Sequence, residues 1–175
     1  MNAFELLAAD FEERYGSQPS GKLAIIRAAL RTREFTAVFL YRMHVTLERR
    51  RKIIPGIRAL LYHVLRSSFG IDIHPNADIG PGLVIHHSHS IVIGDGVKVG
   101  SRFHVYHSVT IGARNQFDLS RYPIIGNNVT VYTGSVIAGN LNIGDDVVIG
   151  ANALVLHDVP DGSVVFSPAA QSKPR

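Results

Sequence analysis

Three histidines fall within four positions in the stretch His86-His87-Ser88-His89. Imidazole titrates near neutral pH, so such a side chain can take a proton from a hydroxyl and hand it on to a leaving group. A general base of this kind gains from a carboxylate that fixes its tautomer and supports its charged form. Asp72, fifteen residues before His87, is the candidate. Two other chemistries remain open for the same stretch. If the segment is extended, His87 and His89 share a face while His86 points the other way. With His104 and His107 they could then hold a metal, although two imidazoles alone make a poor closed zinc site. They could also be ordinary polar corner residues. A second stretch, GARNQFDLSRYPI from Gly112 to Ile124, carries Arg114 and Arg121. Guanidinium groups on a loop suit a phosphate or carboxylate ligand, and equally suit water on a plain surface loop.

Both stretches interrupt one repeat. An aliphatic residue returns every sixth position: Ile73, Ile79, Ile85, then Ile93, Val99, Val105, Ile111, then Ile125, Val131, Ile137, Ile143, Ile149 and Val155. The phase slips between Ile85 and Ile93 and again between Ile111 and Ile125. Period six belongs neither to a helix nor to a simple strand; it predicts a parallel β-helix of hexapeptides. Each hexapeptide supplies a short strand and a tight corner, and the coils above and below cover its inward aliphatic. Gly96, Asn127, Asn128, Asp145 and Asp146 fall at corners, where a left-handed backbone is tolerated. A β-sandwich would show alternation and variable turns instead. Insertions in a repeat array become loops, often on the binding face.

Ahead of the repeat, four helices are predicted over 2–15, 22–32, 34–51 and 56–69. In the first, Phe4, Leu6, Leu7 and Phe11 form the apolar stripe and the acids the opposite face. The last should cap the first coil, which would otherwise expose strand edges. The division is 1–70 helical, 71–166 β-helix, with a final strand near Val164-Val165-Phe166, and 167–175 an irregular tail. The fold class is therefore α+β.

Bulk properties narrow the function. The chain has 175 residues, 46% of them hydrophobic, enough for one domain with a sizeable core. Cysteine is absent, which excludes disulfides, thiolate metal sites and a cysteine nucleophile. The start MNAFELLAADFEERYG lacks a secretory pattern. No apolar run is long enough to span a bilayer. A cytoplasmic protein is expected. The net charge of +4 is uneven, with +6 on residues 1–71 and −2 on residues 72–175, and the basic helical part reads as a solvated surface. No nucleic-acid motif accompanies it.

Several segments resemble serine O-acetyltransferases of the hexapeptide acyltransferase superfamily. They are Ile71-Asp72-Ile73-His74-Pro75, the Ile85–His89 region followed by Ile91-Val92-Ile93-Gly94, Ser108-Val109-Thr110-Ile111-Gly112, and Ile149-Gly150-Ala151-Asn152-Ala153 followed by Val159-Pro160. The similarity covers about residues 35–168. It implies a left-handed β-helix, a homotrimer with active sites between subunits, acetyl-CoA as donor and no metal. It implies His87 as general base, Asp72 as its carboxylate partner, and Gly112, Ala113 and Ala151 lining the pantetheine channel. Arg114 is placed with that cofactor-binding set. His86, Arg121 and Tyr122 fall on the acceptor side. The family has Asp-His where this chain has His86-His87, and Arg-His-Pro where it has Arg121-Tyr122-Pro123. Its loop glycines are replaced by Asn115, Gln116, Phe117, Asp118 and Leu119. Its final Val-Pro-Ala-Arg appears as Ser167-Pro168-Ala169-Ala170, and its helical domain is about twice as long, which points to a lone trimer.

The family's acid where His86 stands, its second acidic site in the helical domain, which has no counterpart in Ser17 to Lys22, and its histidine where Tyr122 stands all bear on the acceptor. The expectation is an O-acetyltransferase that keeps the donor chemistry and acts on L-serine or on a sugar hydroxyl in glycoconjugate assembly. The alternatives are a non-catalytic trimeric scaffold, which would have no use for Asp72 and His87, and a metal-dependent lyase on a similar β-helix.

Overall fold

A computed structural model describes residues 1–19, 21–50, 55–115 and 122–168. Four helices precede the strands: α1 Ala3–Tyr15, α2 Lys22–Arg31, α3 Arg33–Arg50 and α4 Pro55–Phe69. Local chemistry sets their ends. Asn2 caps α1 in a capping box. Its Oδ1 accepts from the Phe4 and Glu5 N–H groups at 3.0 Å, and Glu5 Oε2 accepts from the Asn2 N–H at 2.9 Å. Gly16, at φ 69°, closes that helix, and Gly70, at φ 62°, closes α4. The basic run after Leu47 extends past the described residues. Among those described, no helix is long and apolar enough to cross a membrane.

The strands form three parallel sheets. The first holds β1 Ile71–Ile73, β4 Ile91–Ile93, β7 Thr110–Gly112, β10 Val136–Ala138 and β13 Leu154–Val155. The second holds β2 Asp78–Ile79, β5 Lys98–Val99, β8 Ile124–Ile125 and β11 Asn142–Ile143. The third holds β3 Leu83–His86, β6 Phe103–Tyr106, β9 Thr130–Val131, β12 Val148–Ile149 and β14 Val164–Val165. The chain visits the three in turn, which is a β-helix. The sixth-position aliphatics become buried columns. Ile73, Ile93, Ile111, Ile137 and Val155 line one sheet, and Ile85, Val105, Val131 and Ile149 another. Each is worth about 1.5–3 kcal/mol when fully buried. The two phase slips appear as longer coils: Ile71 pairs with Ile91 across the first and Thr110 with Val136 across the second, against Val92 with Thr110 between them.

The corners divide the expected turn residues into two kinds. Gly96, Asn128 and Asp146 adopt positive φ. Asn127 and Asp145 do not; their side chains bond the neighbouring coil instead. Asn127 Oδ1 accepts from the Ser101 N–H at 2.9 Å, and Asp145 Oδ1 from the Asn127 N–H at 2.5 Å. Along one corner the coils touch backbone to backbone. A Cβ on Gly80 would lie 2.5 Å from the Gly100 carbonyl oxygen, and one on Gly100 2.7 Å from that of Gly126. Gly100→Ala should therefore cost about 1–3 kcal/mol by overpacking, seen as a lower midpoint in thermal unfolding.

The cap on the first coil is broader than α4. That helix packs on β1, while α3 and α1 cover β3. Tyr41, Val38 and Val45 of α3 join the solenoid core. The carbonyls exposed at the open end are taken by arginines. Arg42 donates to Ile79 and Gly80 oxygens, both at 2.7 Å, and Arg14 to the Ile85 oxygen at 3.0 Å. Asp10, expected on the polar face of α1, is instead fully buried against Arg42. Glu5 and Glu12 stay exposed, while Asp10 shares the buried face of the helix with Leu7, where Arg42 supplies its counter-charge.

Candidate active site

His87 sits just past β3, on the corner that leads to β4. Its φ is 54° and its side chain is exposed. The left-handed residue ends the strand, so the extended geometry that would put His87 and His89 on one face does not occur. Ser90 is left-handed too, at φ 53°, and the two together absorb the extra residues of the first phase slip. Gly70 makes this possible: a Cβ there would lie 3.0 Å from the Ser90 nitrogen and 3.2 Å from the His89 ring.

The next coil places His107 above His87, with ring centroids 5.7 Å apart and edge-on. His107 Nδ1 and Ser88 Oγ are buried without a hydrogen-bond partner among the described residues. The described residues hold no cluster of three or more potential metal ligands.

Asp72 lies in β1 beside the same corner, since Ile71 pairs with Ile91 and Asp72 with Val92. Its carboxylate is held from α4. The Tyr62 hydroxyl donates to Oδ1 at 2.5 Å, and Arg66 Nε lies 3.4 Å from Oδ2. Burial, and then this bond to Asp72, push the Tyr62 phenol above its usual value, so it stays a donor. Among the described residues no hydrogen bond joins Asp72 to His87.

His86 is half-buried and occupied. Its Nε2 lies 3.3 Å from His104 Nδ1, and His104 Nε2 lies 2.9 Å from Glu13 Oε1 on α1. Its ring stacks on Tyr106 at 4.3 Å, and Tyr106 on Tyr132 at 4.7 Å. Burial and then the charge of His104 lower its basicity from the ordinary imidazole value. An NMR titration should place its midpoint below about 6.5. The stability linked to His86 is then full above that pH and is lost as pH falls through the depressed folded value.

The other predicted residues are spread over this corner and a second one. Gly112 ends β7, followed by Ala113 and Arg114, and a Cβ on Gly112 would meet only open space. Ala151 is exposed on the corner between β12 and β13. Tyr122 packs its ring over the turn after β4: a Cβ on Gly96 would lie 2.7 Å from it, and one on Gly94 3.4 Å. That turn is at the far end of β4 from His87, so one chain does not bring the two together. Arg121 lies outside the described residues. Sequence reasoning did not single out Tyr62 or Glu13. Histidine spacing across the coil did signal His104 and His107, though as metal ligands.

Comparison with known proteins agrees with this architecture. Residues 122–157 match the family described as bacterial transferase hexapeptide (six repeats). A serine acetyltransferase of Helicobacter pylori is 40% identical over 136 residues, spanning 78% of each protein. The structure of a Neisseria gonorrhoeae serine acetyltransferase in complex with serine superposes with a TM-score of 0.79 at 28% identity, covering 97% of this chain and 68% of that one. A serine acetyltransferase in complex with CoA gives 0.76 at 26% identity, covering 93% and 65%. The chain thus spans about two thirds of the solved structures' length. With its stacked hexapeptide coils and with identity running over most of a serine acetyltransferase's length, the chain belongs to the serine acetyltransferase family of hexapeptide-repeat acyltransferases.

Proposed function

We propose that this protein transfers the acetyl group of acetyl-CoA to the hydroxyl of L-serine, with His87 as general base. The observation that carries the reading is His87 itself: an exposed imidazole on a left-handed corner, beside Asp72, in a chain of this family. His87 takes the hydroxyl proton as the serine oxygen attacks the thioester carbonyl. The tetrahedral intermediate collapses, the C–S bond breaks, and the imidazolium returns its proton to the CoA sulfur. Asp72, anchored by Tyr62 and Arg66, supports the imidazolium electrostatically.

The active unit in this reading is a homotrimer. Tyr122 lies at the far end of β4 from His87, and Val92 and Leu154 stand exposed on the outer face of the first sheet. A neighbouring subunit would cover that face and bring its own Tyr122 and Arg121 toward the His87 corner. Ala151 on the His87 corner, with Gly112, Ala113 and Arg114 brought by the neighbour from the same end as its Tyr122, would line the donor channel, small residues allowing close approach.

A second acceptor reading has one specific observation in its favour. His86 stands beside the base where a carboxylate would pair best with a serine ammonium, and a neutral imidazole also suits a sugar hydroxyl. Release of CoA thiol should be followed with L-serine, homoserine and nucleotide sugars. Serine-dependent release supports the proposal. Release with sugars alone replaces serine with a glycan acceptor, and acetyl-CoA binding without His87-dependent turnover supports a scaffold.

A further inference from the structure

The hydrogen-bonded chain Glu13–His104–His86 ends one residue from the proposed base, and it fixes what His86 can offer a substrate. Glu13, a carboxylate, can only accept, so His104 Nε2 carries the proton between them at 2.9 Å. With the rings neutral, His104 Nδ1 is then a bare lone pair, and the 3.3 Å contact requires His86 Nε2 to donate. His86 Nδ1 is left unprotonated. It has no hydrogen-bond partner among the described residues. Aligned hydrogen bonds polarise one another, so the negative charge of Glu13 is felt at that nitrogen. Stacking on Tyr106 holds the ring in place.

We propose that Glu13 and His104 are positioning residues that make His86 Nδ1 the hydrogen-bond acceptor for the serine ammonium, a carboxylate's role performed through two imidazoles. The inference rests on the serine reading above. The His86 and His87 rings both approach Tyr106, at 4.3 and 6.4 Å between centroids, so the two imidazoles border one space that a small amino alcohol can bridge. The device also makes α1 part of acceptor selection, although α1 lies outside the β-helix.

The test uses the full chain with L-serine and with 3-hydroxypropionate, which keeps the hydroxyl and carboxylate and lacks the amine. Glu13→Ala should raise the KM for L-serine about tenfold, the scale of one charge-assisted hydrogen bond. The KM for 3-hydroxypropionate and for acetyl-CoA should not move. A general loss of packing would shift all three, and that result, or an unchanged serine KM, overturns the relay. His86→Asp should restore serine affinity in the Glu13→Ala background; a failure to do so overturns it as well. In the unaltered protein at pH 8, nitrogen-15 NMR should show His86 with its proton on Nε2, and a proton on Nδ1 contradicts the proposal. If the unaltered protein does not turn over serine, the function reading fails and the assigned ligand of the relay fails with it. Serine turnover with no change in Glu13→Ala rejects the relay alone.

Discussion

Replacing His87 with alanine should lower kcat by roughly 10²–10⁴-fold while leaving acetyl-CoA binding intact, the usual contribution of a positioned general base. The corner would survive the change, because its shape comes from the backbone. Ser108 N–H donates to the His89 carbonyl at 2.9 Å and Ile91 N–H to the Gly70 carbonyl at 3.1 Å. Alanine at φ 54° adds only the modest strain of a left-handed residue. A fall in kcat without a rise in the dissociation constant for acetyl-CoA is therefore the signature of lost proton transfer. Near-full activity in the variant rejects His87 as the base. His107, 5.7 Å away, would then be the imidazole to examine.

The largest stability effect should come from Asp10→Ala. Asp10 is fully buried, and its carboxylate accepts four N–H groups. Arg42 Nε and Nη2 lie at 2.8 and 2.9 Å, and the Gly82 and Leu83 amides at 2.9 and 2.7 Å. Burial pushes this carboxyl up, while Arg42 and the two amides oppose that shift. Every polar neighbour named here is a donor, so the ionised form is the one that satisfies them. Its removal leaves a guanidinium buried without its counter-charge. That costs about 3–5 kcal/mol, or about 10 °C in thermal midpoint for a domain of this size. Replacing Asp10 and Arg42 together by apolar residues should recover part of the loss, since burying a pair is itself costly. A midpoint within a degree or two of the unaltered protein contradicts the account. Because Asp10 anchors α1, the variant should also loosen Glu13 from His104.

These two sites differ in how far they could be read from sequence. The His87 corner announced itself because a solenoid imposes its period on every coil, and a break in that period can only be a protrusion. The same constraint made the inward columns legible from Ile73 to Val155. Helix limits were legible where the signal is local: the expected ends at residues 15 and 69 are those of α1 and α4, each followed by a left-handed glycine. Asp10 was not, because the burial of one face of α1 depends on how three helices dock on the first coil. No periodicity encodes that docking. Tyr62 reaches Asp72 and Glu13 reaches His104 through the same docking, so neither could be named beforehand. Tyr122 marks a third case. Its position in the second interruption was clear, but its packing over Gly94 and Gly96 follows from the missing Cβ atoms there.

The most direct test of the central claim is the product. Purified protein should be incubated with acetyl-CoA and L-serine, and the mixture analysed by mass spectrometry and proton NMR. The account predicts O-acetyl-L-serine, with the acetyl group on the hydroxyl, in amounts equal to the CoA released, and almost none with His87→Ala. Acetyl-CoA consumed without acetylated serine, or equal product from the alanine variant, would contradict it.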